Sequence, residues 1–326
     1  MRGEDGRIQW LDSLRGFGIA LVVLGHFSGF HYLNTFIYSF HVPLFFFLSG
    51  MFFREDEGLW TCFKKKLLRL FVPYLLANCL FFFVEMIRVW KLGDAYDGDL
   101  GWKDLWLACA GLWPVPSMFS RPTWFLLILF RITLVYKLIQ MLTGGRRWIM
   151  ATICAGIGIS GAILAPETYM LGQTMVALPF LCLGHICGTG LMENRKLFGN
   201  GVSIAGAIVA LPLLWLISQH QQTNIAVNDY GNAVLMFVGA LLGILAVLWI
   251  SKLISRLPRT TGVLSFVGRY TMSILIWHIF IMKILFTAAG YIGLETNPLM
   301  YVVAFLMAVA LPCAMSIAYS KIKSKL

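Results

Sequence analysis

The sequence predicts an all-α, polytopic transmembrane helical bundle of about ten spans with both termini in the cytoplasm. Three observations predict it: ten apolar runs of spanning length, a mean hydropathy of +0.78 with only 13% charged residues, and cations that gather in alternate loops. Soluble domains average about 25% charged residues. A helix needs about 20 apolar residues to cross about 30 Å of hydrocarbon.

The runs are 9–30, 36–53, 68–89, 123–142, 148–165, 172–192, 201–218, 231–254, 266–289 and 298–320. The first follows MRGEDGR directly and shows no cleavage layout, so it reads as an uncleaved helix. Several runs stop at turn signals, among them Thr143-Gly144-Gly145 and Pro258. The stretch 100–118, LGWKDLWLACAGLWPVPSM, is too short and broken to span; its tryptophans predict an interfacial or re-entrant segment.

Orientation follows from the basic residues. One set of loops holds Arg2, Arg7, Arg54, Lys64–Lys66, Arg69, Arg146, Arg147, Arg195, Lys196, Lys252, Arg256, Arg259, Arg269, Lys321, Lys323 and Lys325, which is 18 of the 26 Lys and Arg. The opposite cations lie around one long loop, at Arg88, Lys91, Lys103 and Arg121. The positive-inside rule makes the first set cytoplasmic. The net charge of +11 is thus mainly topological and implies no nucleic-acid partner. Membrane lipid surrounds the spans, and the basic ends suit an anionic ligand.

No repeat and no low-complexity linker divides the chain, which reads as one membrane domain over 1–326 with any active site inside the bundle. The seven cysteines lie mostly in apolar runs, where cysteine acts as a small hydrophobe. They predict neither a disulfide framework nor structural zinc.

Ionisable residues inside spans are expensive and mark function or pairing. Arg15 and His26 share the first run, eleven residues apart. That is about 20° off one helix face and about 16 Å of rise. Asp12 lies one turn before Arg15, so a local ion pair is the competing reading. His41 stands two residues before Pro43 in the second run, where a proline-induced bend is expected. Ser49-Gly50 closes that run, as small-residue packing or as a close approach to a ligand. Lys66 and Arg69, three apart at the start of the third run, share a face and suit phosphates, although the positive-inside signal alone explains Lys64 and Lys65. Glu85 is at about the depth of His26 and has Arg88 as a competing partner. Trp124 opens the fourth run. Arg131 is mid-span and needs a partner. His278 lies mid-span in the ninth run, and His185 reads as helix packing.

Together LDSLRG–x9–H, FHVPLFFFLSG, KLLRLFVPY, PTWFL and VGRYTMSILIWH resemble the membrane-bound acyltransferase-3 family, and within it the fucose 4-O-acetylase-like branch. The resemblance is ordered over spans 1, 2, 3, 4 and 9, and most specific in the first 75 residues. It implies a ten-helix O-acyltransferase of the bacterial inner membrane. Such a protein moves an acyl group, usually acetyl, from cytoplasmic acyl-CoA to a hydroxyl of a cell-surface or lipid-linked carbohydrate, without a metal. The family's arginine-x10-histidine pair matches Arg15 and His26. Its basic-x-x-arginine pair matches Lys66 and Arg69, with Lys in the first place. Its Phe-His-x-Pro and Ser-Gly strings match Phe40, His41, Pro43, Ser49 and Gly50; Val42 stands where the branch often has Met.

On this resemblance Arg15, Lys66 and Arg69 are expected to hold the CoA phosphates, with Ser49 beside the cofactor. His26 is the expected general base on the acceptor hydroxyl or, alternatively, an acyl carrier. His41, Glu85 or His278 would orient it or stabilise the oxyanion. Trp124 and His278 would face the acceptor. The rival reading is a transporter of a glycan or small anion, whose buried polar residues would line a pathway; the runs lack the paired interrupted helices usual there.

Overall fold

The computed structural model describes residues 9–27, 29–92, 102–110, 121–164, 170–193, 198–294 and 297–324. Among these, structure is helical apart from one isolated bridge between Asn224 and Asp229. In chain order the helices are α1 (Gln9–Gly25), α2 (His31–Tyr38), α3 (His41–Met51), α4 (Leu59–Lys66), α5 (Val72–Leu92), α6 (Trp102–Ala110), α7 (Trp124–Leu142), α8 (Arg147–Leu164), α9 (Leu171–Glu193), α10 (Asn200–His220), α11 (Ala233–Ile254), α12 (Pro258–Arg269), α13 (Thr271–Tyr291) and α14 (Pro298–Lys323). Nine helical stretches among the described residues are long and apolar enough to cross a membrane; α1, at 17 residues, matches the tenth expected run. Large apolar side chains face outward, with Trp148 88% and Leu142 87% exposed. That is the burial pattern of helices that have lipid for a neighbour. The chain is a multi-pass helical membrane protein.

Three expectations are corrected in detail and one is sharpened. The first run ends as a helix at Gly25, so His26 terminates α1 instead of lying within it. The second run breaks at Ser39 and Phe40, next to His41 and one turn before Pro43, so the bend expected beside His41 is a full break between two helices. Pro43 occupies the first turn of α3, where a missing N–H costs little. The third helical stretch starts at Leu59, so Lys64–Lys66 lie a turn and more inside it. The ninth run is split at Tyr270 into α12 and α13.

A widened turn, Leu67–Phe71, joins α4 to α5 as a π-helix. Pro73 explains it: proline cannot donate to the Arg69 carbonyl and its ring crowds that oxygen. Val72 N–H instead reaches back to the Leu67 carbonyl, a bond five residues long.

The chain forms two compact units. The first comprises Met1–Phe45, Asn194–Gln222 and Phe237–Leu326. Its core joins Ile19, Val22, Val23 and Phe27 to Ile274, Ile281 and Met282 of α13 and to Ala304, Ala308 and Cys313 of α14. Here α1 packs along α12 at two facing glycines. A Cβ on Gly16 would fall 1.9 Å from the Leu264 carbonyl oxygen, and one on Gly268 would fall 1.9 Å from that of Asp12. Only residues without a side chain permit this approach.

The second unit comprises Phe46–Glu193 and Thr223–Met236. It repeats the device between α3 and α9: a Cβ on Gly50 would sit 2.0 Å from the Leu181 carbonyl oxygen, and one on Gly184 would sit 1.9 Å from that of Phe47. Within this unit α6 lies along α5. Trp102 packs on Phe82 (5.7 Å between ring centres), and the Tyr74 hydroxyl donates to the Ala108 carbonyl. Tyr74 is about 27 Å of helix below Leu92, so α6 reaches deep beside α5, as a re-entrant segment does. The remainder of the 100–118 stretch lies outside the described residues.

Candidate active site

Three imidazoles meet in the first unit, on three helices. The ring of His26 contacts that of His278 edge-on at 4.9 Å. It also faces Tyr38 at 6.0 Å, and Tyr38 contacts His41 at 5.2 Å. His278 is fully buried and His41 nearly so.

Their orientation has a local cause. The last carbonyls of a helix lack intrahelical donors. His26, one residue past α1, donates Nδ1–H to the Val22 carbonyl at 2.7 Å. His41 does the same for the Ile37 carbonyl of α2 at 2.9 Å. In α13, His278 Nδ1–H is shared between the Ile274 and Leu275 carbonyls at 2.8 and 3.0 Å. A carbonyl only accepts, so Nδ1 carries the proton in each ring. In its neutral form each ring therefore presents Nε2 as a lone pair directed away from its own helix. Nε2 of His278 is buried without a partner. Such a set of fixed, neutral imidazoles can accept hydroxyl protons.

At the other end of α1, Arg15 pairs with Asp12 at 3.3 Å, its side chain 34% exposed. Arg15 is thus half-exposed and not buried as the apolar run suggested. Its carboxylate partner lies three residues back on the same helix.

The second unit holds the basic residues. Lys64 sits over the Trp60 ring at 5.0 Å. Lys65 binds the Glu57 carboxylate at 2.5 Å, and Arg54 lies 3.5 Å from the same oxygen. The two cations beside Glu57 hold its carboxyl below the usual carboxylate range, with the Lys65 hydrogen bond as the main cause. Among the described residues, Lys66 and Arg69 make no hydrogen bond or ion pair; Lys66 immediately precedes the widened turn and Arg69 lies within it. Of the five cations from Arg54 to Arg69, three are thereby engaged and two are available.

Of the remaining expected residues, Glu85 belongs to the second unit and accepts a hydrogen bond from Arg88. Ser49 is half-buried in α3 beside the packed Gly50. Trp124 is buried at the start of α7, edge-on to Phe125 at 6.5 Å. The structure thus brings His26, His41 and His278 together in one unit, while Lys66 and Arg69 lie three residues apart at the widened turn of the other.

A family model described as an acyltransferase domain matches residues 8–317. The chain belongs to the acyltransferase-3 family. It is a membrane acyltransferase. No curated protein and no solved structure matches it significantly.

Several polar residues of this acyltransferase escape a reading by sequence. Tyr38 joins two of the imidazoles; it stands three residues before His41, and that one-turn spacing was the available signal. In the second unit His185 does more than pack. Its Nε2–H donates to the Glu55 carboxylate at 3.0 Å, and Nδ1 lies 2.8 Å from the Tyr136 hydroxyl. Lys137, 2% exposed, donates to the Glu55 carbonyl and to Gln140 Oε1, both at 2.8 Å. A lysine inside LVYKLIQML was as conspicuous a signal as Arg131 in the same helix. Asn78, by contrast a polar candidate in the third run by sequence as well, donates to the Tyr74 carbonyl at 2.9 Å and to Thr123 Oγ1 at 3.3 Å, next to Trp124.

Proposed function

We propose that this acyltransferase moves an acetyl or other short acyl group from cytoplasmic acyl-CoA to a hydroxyl of a cell-surface or lipid-linked carbohydrate. The observation that carries the reading is the His26 Nδ1–H bond to Val22. It leaves Nε2 as a fixed lone pair in a partly apolar interior, the state a general base requires.

In the direct route, His26 Nε2 takes the acceptor hydroxyl proton as that oxygen attacks the thioester carbonyl. The tetrahedral intermediate collapses, the carbon–sulfur bond breaks, and the imidazolium returns its proton to the CoA thiolate. In the carrier route, Nε2 attacks the thioester carbonyl, the carbon–sulfur bond breaks and CoA leaves as thiolate; the acceptor oxygen then attacks the acyl-imidazolium, the carbon–nitrogen bond breaks, and the acceptor hydroxyl proton neutralises the thiolate. His278 and His41 hold and polarise His26 in either route. Lys66 and Arg69 bind CoA phosphates through charge-assisted hydrogen bonds. Lysine and arginine without carboxylate partners favour an anionic co-substrate over the neutral glycan of a transporter. Positive-inside counting supports basic ends in the cytoplasm, and the family resemblance implies a bacterial inner-membrane location.

The test is transfer of radiolabel from acetyl-CoA to native surface glycan in membranes, comparing the intact protein with His26→Ala at matched expression. Label with the intact protein and a loss of about 100-fold or more in the variant is expected. Equal labelling would reject His26. A trapped acyl-protein in the absence of acceptor would select the carrier route.

A further inference from the structure

The loop over residues 52–58 connects α3 to α4 within the second unit and leads directly into the basic row. It is tied down at two of its residues. The Phe53 ring packs edge-on against Tyr136 at 4.8 Å and against His185 at 4.9 Å. Glu55 is held by its carbonyl, through Lys137, and by its carboxylate, through His185. Two residues later, Glu57 takes up Lys65 and faces Arg54, and α4 begins at Leu59.

Lys137 is the unusual member. It is a buried ammonium whose oxygen partners here, a carbonyl and an amide oxygen, are both uncharged, with the Phe53 ring 5.5 Å away. The nearby Glu55 carboxylate is bonded to His185 instead. Burying a charge without a carboxylate partner is unfavourable, and an apolar residue of similar length would fill the space at less cost. What lysine adds, and methionine lacks, is the fixed grip on the Glu55 backbone.

We propose that Lys137 and His185 are positioning residues for the acyl-CoA phosphates. They fix the loop so that Glu57 stays on Lys65 and Arg54, and Lys66 and Arg69 are left facing the ligand. Neither residue touches the ligand. The proposal rests on the reading of Lys66 and Arg69 as phosphate ligands. It adds a mechanism by which a row of cations is reduced to two that bind.

The experiment measures equilibrium binding of coenzyme A to the purified full-length protein in lipid nanodiscs, alongside its thermal unfolding. Lys137→Met is expected to weaken coenzyme A binding about tenfold while the unfolding midpoint holds or rises. A lysine with a merely structural role would move stability and leave affinity alone. His185→Leu should weaken binding in the same direction, and His185→Gln, which keeps a hydrogen-bonding group toward Glu55, should stay within about twofold of the intact protein. The two histidine variants keep the test open if the lysine variant does not fold. Unchanged affinity in Lys137→Met and His185→Leu, with Arg69→Ala still weakened, overturns the positioning role alone. Absence of coenzyme A binding by the intact protein overturns the phosphate reading itself, and this inference with it.

Discussion

The two polar regions of this molecule are held by different forces. In the first unit, each imidazole is oriented by backbone carbonyls of its own or the adjoining helix, and among the described residues no carboxylate bonds to any of the three. In the second unit, charged side chains hold one another across a loop, through Glu57 with Lys65 and Arg54 and through Glu55 with His185. A backbone carbonyl is a fixed, uncharged partner. It sets the tautomer, with the proton on Nδ1, and so leaves Nε2 for proton transfer. Charge pairs near water are adjustable and screened by salt, which suits capture and release of a polyanion. The difference teaches that one unit is built for a protonation state and the other for a field.

Both regions nevertheless rest on the same packing device, and breaking it should have the largest effect. Gly16 adjoins Arg15 and Gly268 adjoins Arg269; Gly50 adjoins Ser49 and Gly184 adjoins His185. Each glycine meets a backbone oxygen where even a methyl group cannot fit. Gly16→Ala must push α1 from α12, and Gly50→Ala must push α3 from α9. Overpacking of this kind costs about 1–3 kcal/mol, so each variant should unfold at lower temperature. The comparison sharpens if the residual folded protein differs in kind. Gly16→Ala should depress the turnover number, and Gly50→Ala should raise the KM for acetyl-CoA. Identical kinetic changes in the two would erase the proposed division of labour.

The next effect in size comes from the basic row. Arg69→Ala and Lys66→Ala should each raise the KM for acetyl-CoA about 10–100-fold, the worth of a charge-assisted hydrogen bond at about 1.5–3 kcal/mol. Lys64→Ala should change it by less than about threefold, because its ammonium already rests on Trp60 and exposed charges contribute little singly. Steady-state kinetics on matched membranes would show this order. Three equal effects would mean that the row acts only as a diffuse positive patch.

How much of this was legible in the sequence follows from the physics of each signal. Hydropathy marks every spanning run, because lipid contact selects apolar side chains regardless of tertiary detail. Helix ends are less visible: Tyr270 divides one apolar run into α12 and α13 without a proline or glycine at the break. His26, His41 and His278 stand out as polar groups inside spans, yet their meeting depends on helix packing that no local pattern encodes. Lys66 and Arg69 share a face in an ideal helix, and the π turn imposed by Pro73 alters that geometry. Lys137 and His185 were missed because their partner, Glu55, is 82 residues from the lysine and 130 from the histidine, in a loop that looked merely polar.

Glu57 provides the smallest and most selective test. Its carboxyl titrates below the ordinary carboxylate value because Lys65 and Arg54 favour the charged form. The stability it contributes is therefore fully present above the carboxylate value of the unfolded chain, about 4.3, and is lost as pH falls through the lower value of the folded one. Glu57→Gln should unfold at a slightly lower temperature than the intact protein at neutral pH, and the gap should close below about pH 4. In coenzyme A binding the same variant releases Lys65, so its affinity should depend more steeply on salt. A gap in unfolding temperature that persists at low pH would show that Glu57 acts through packing and not through charge. The adjustable character assigned to the second unit would then have to rest on Glu55 and His185 alone.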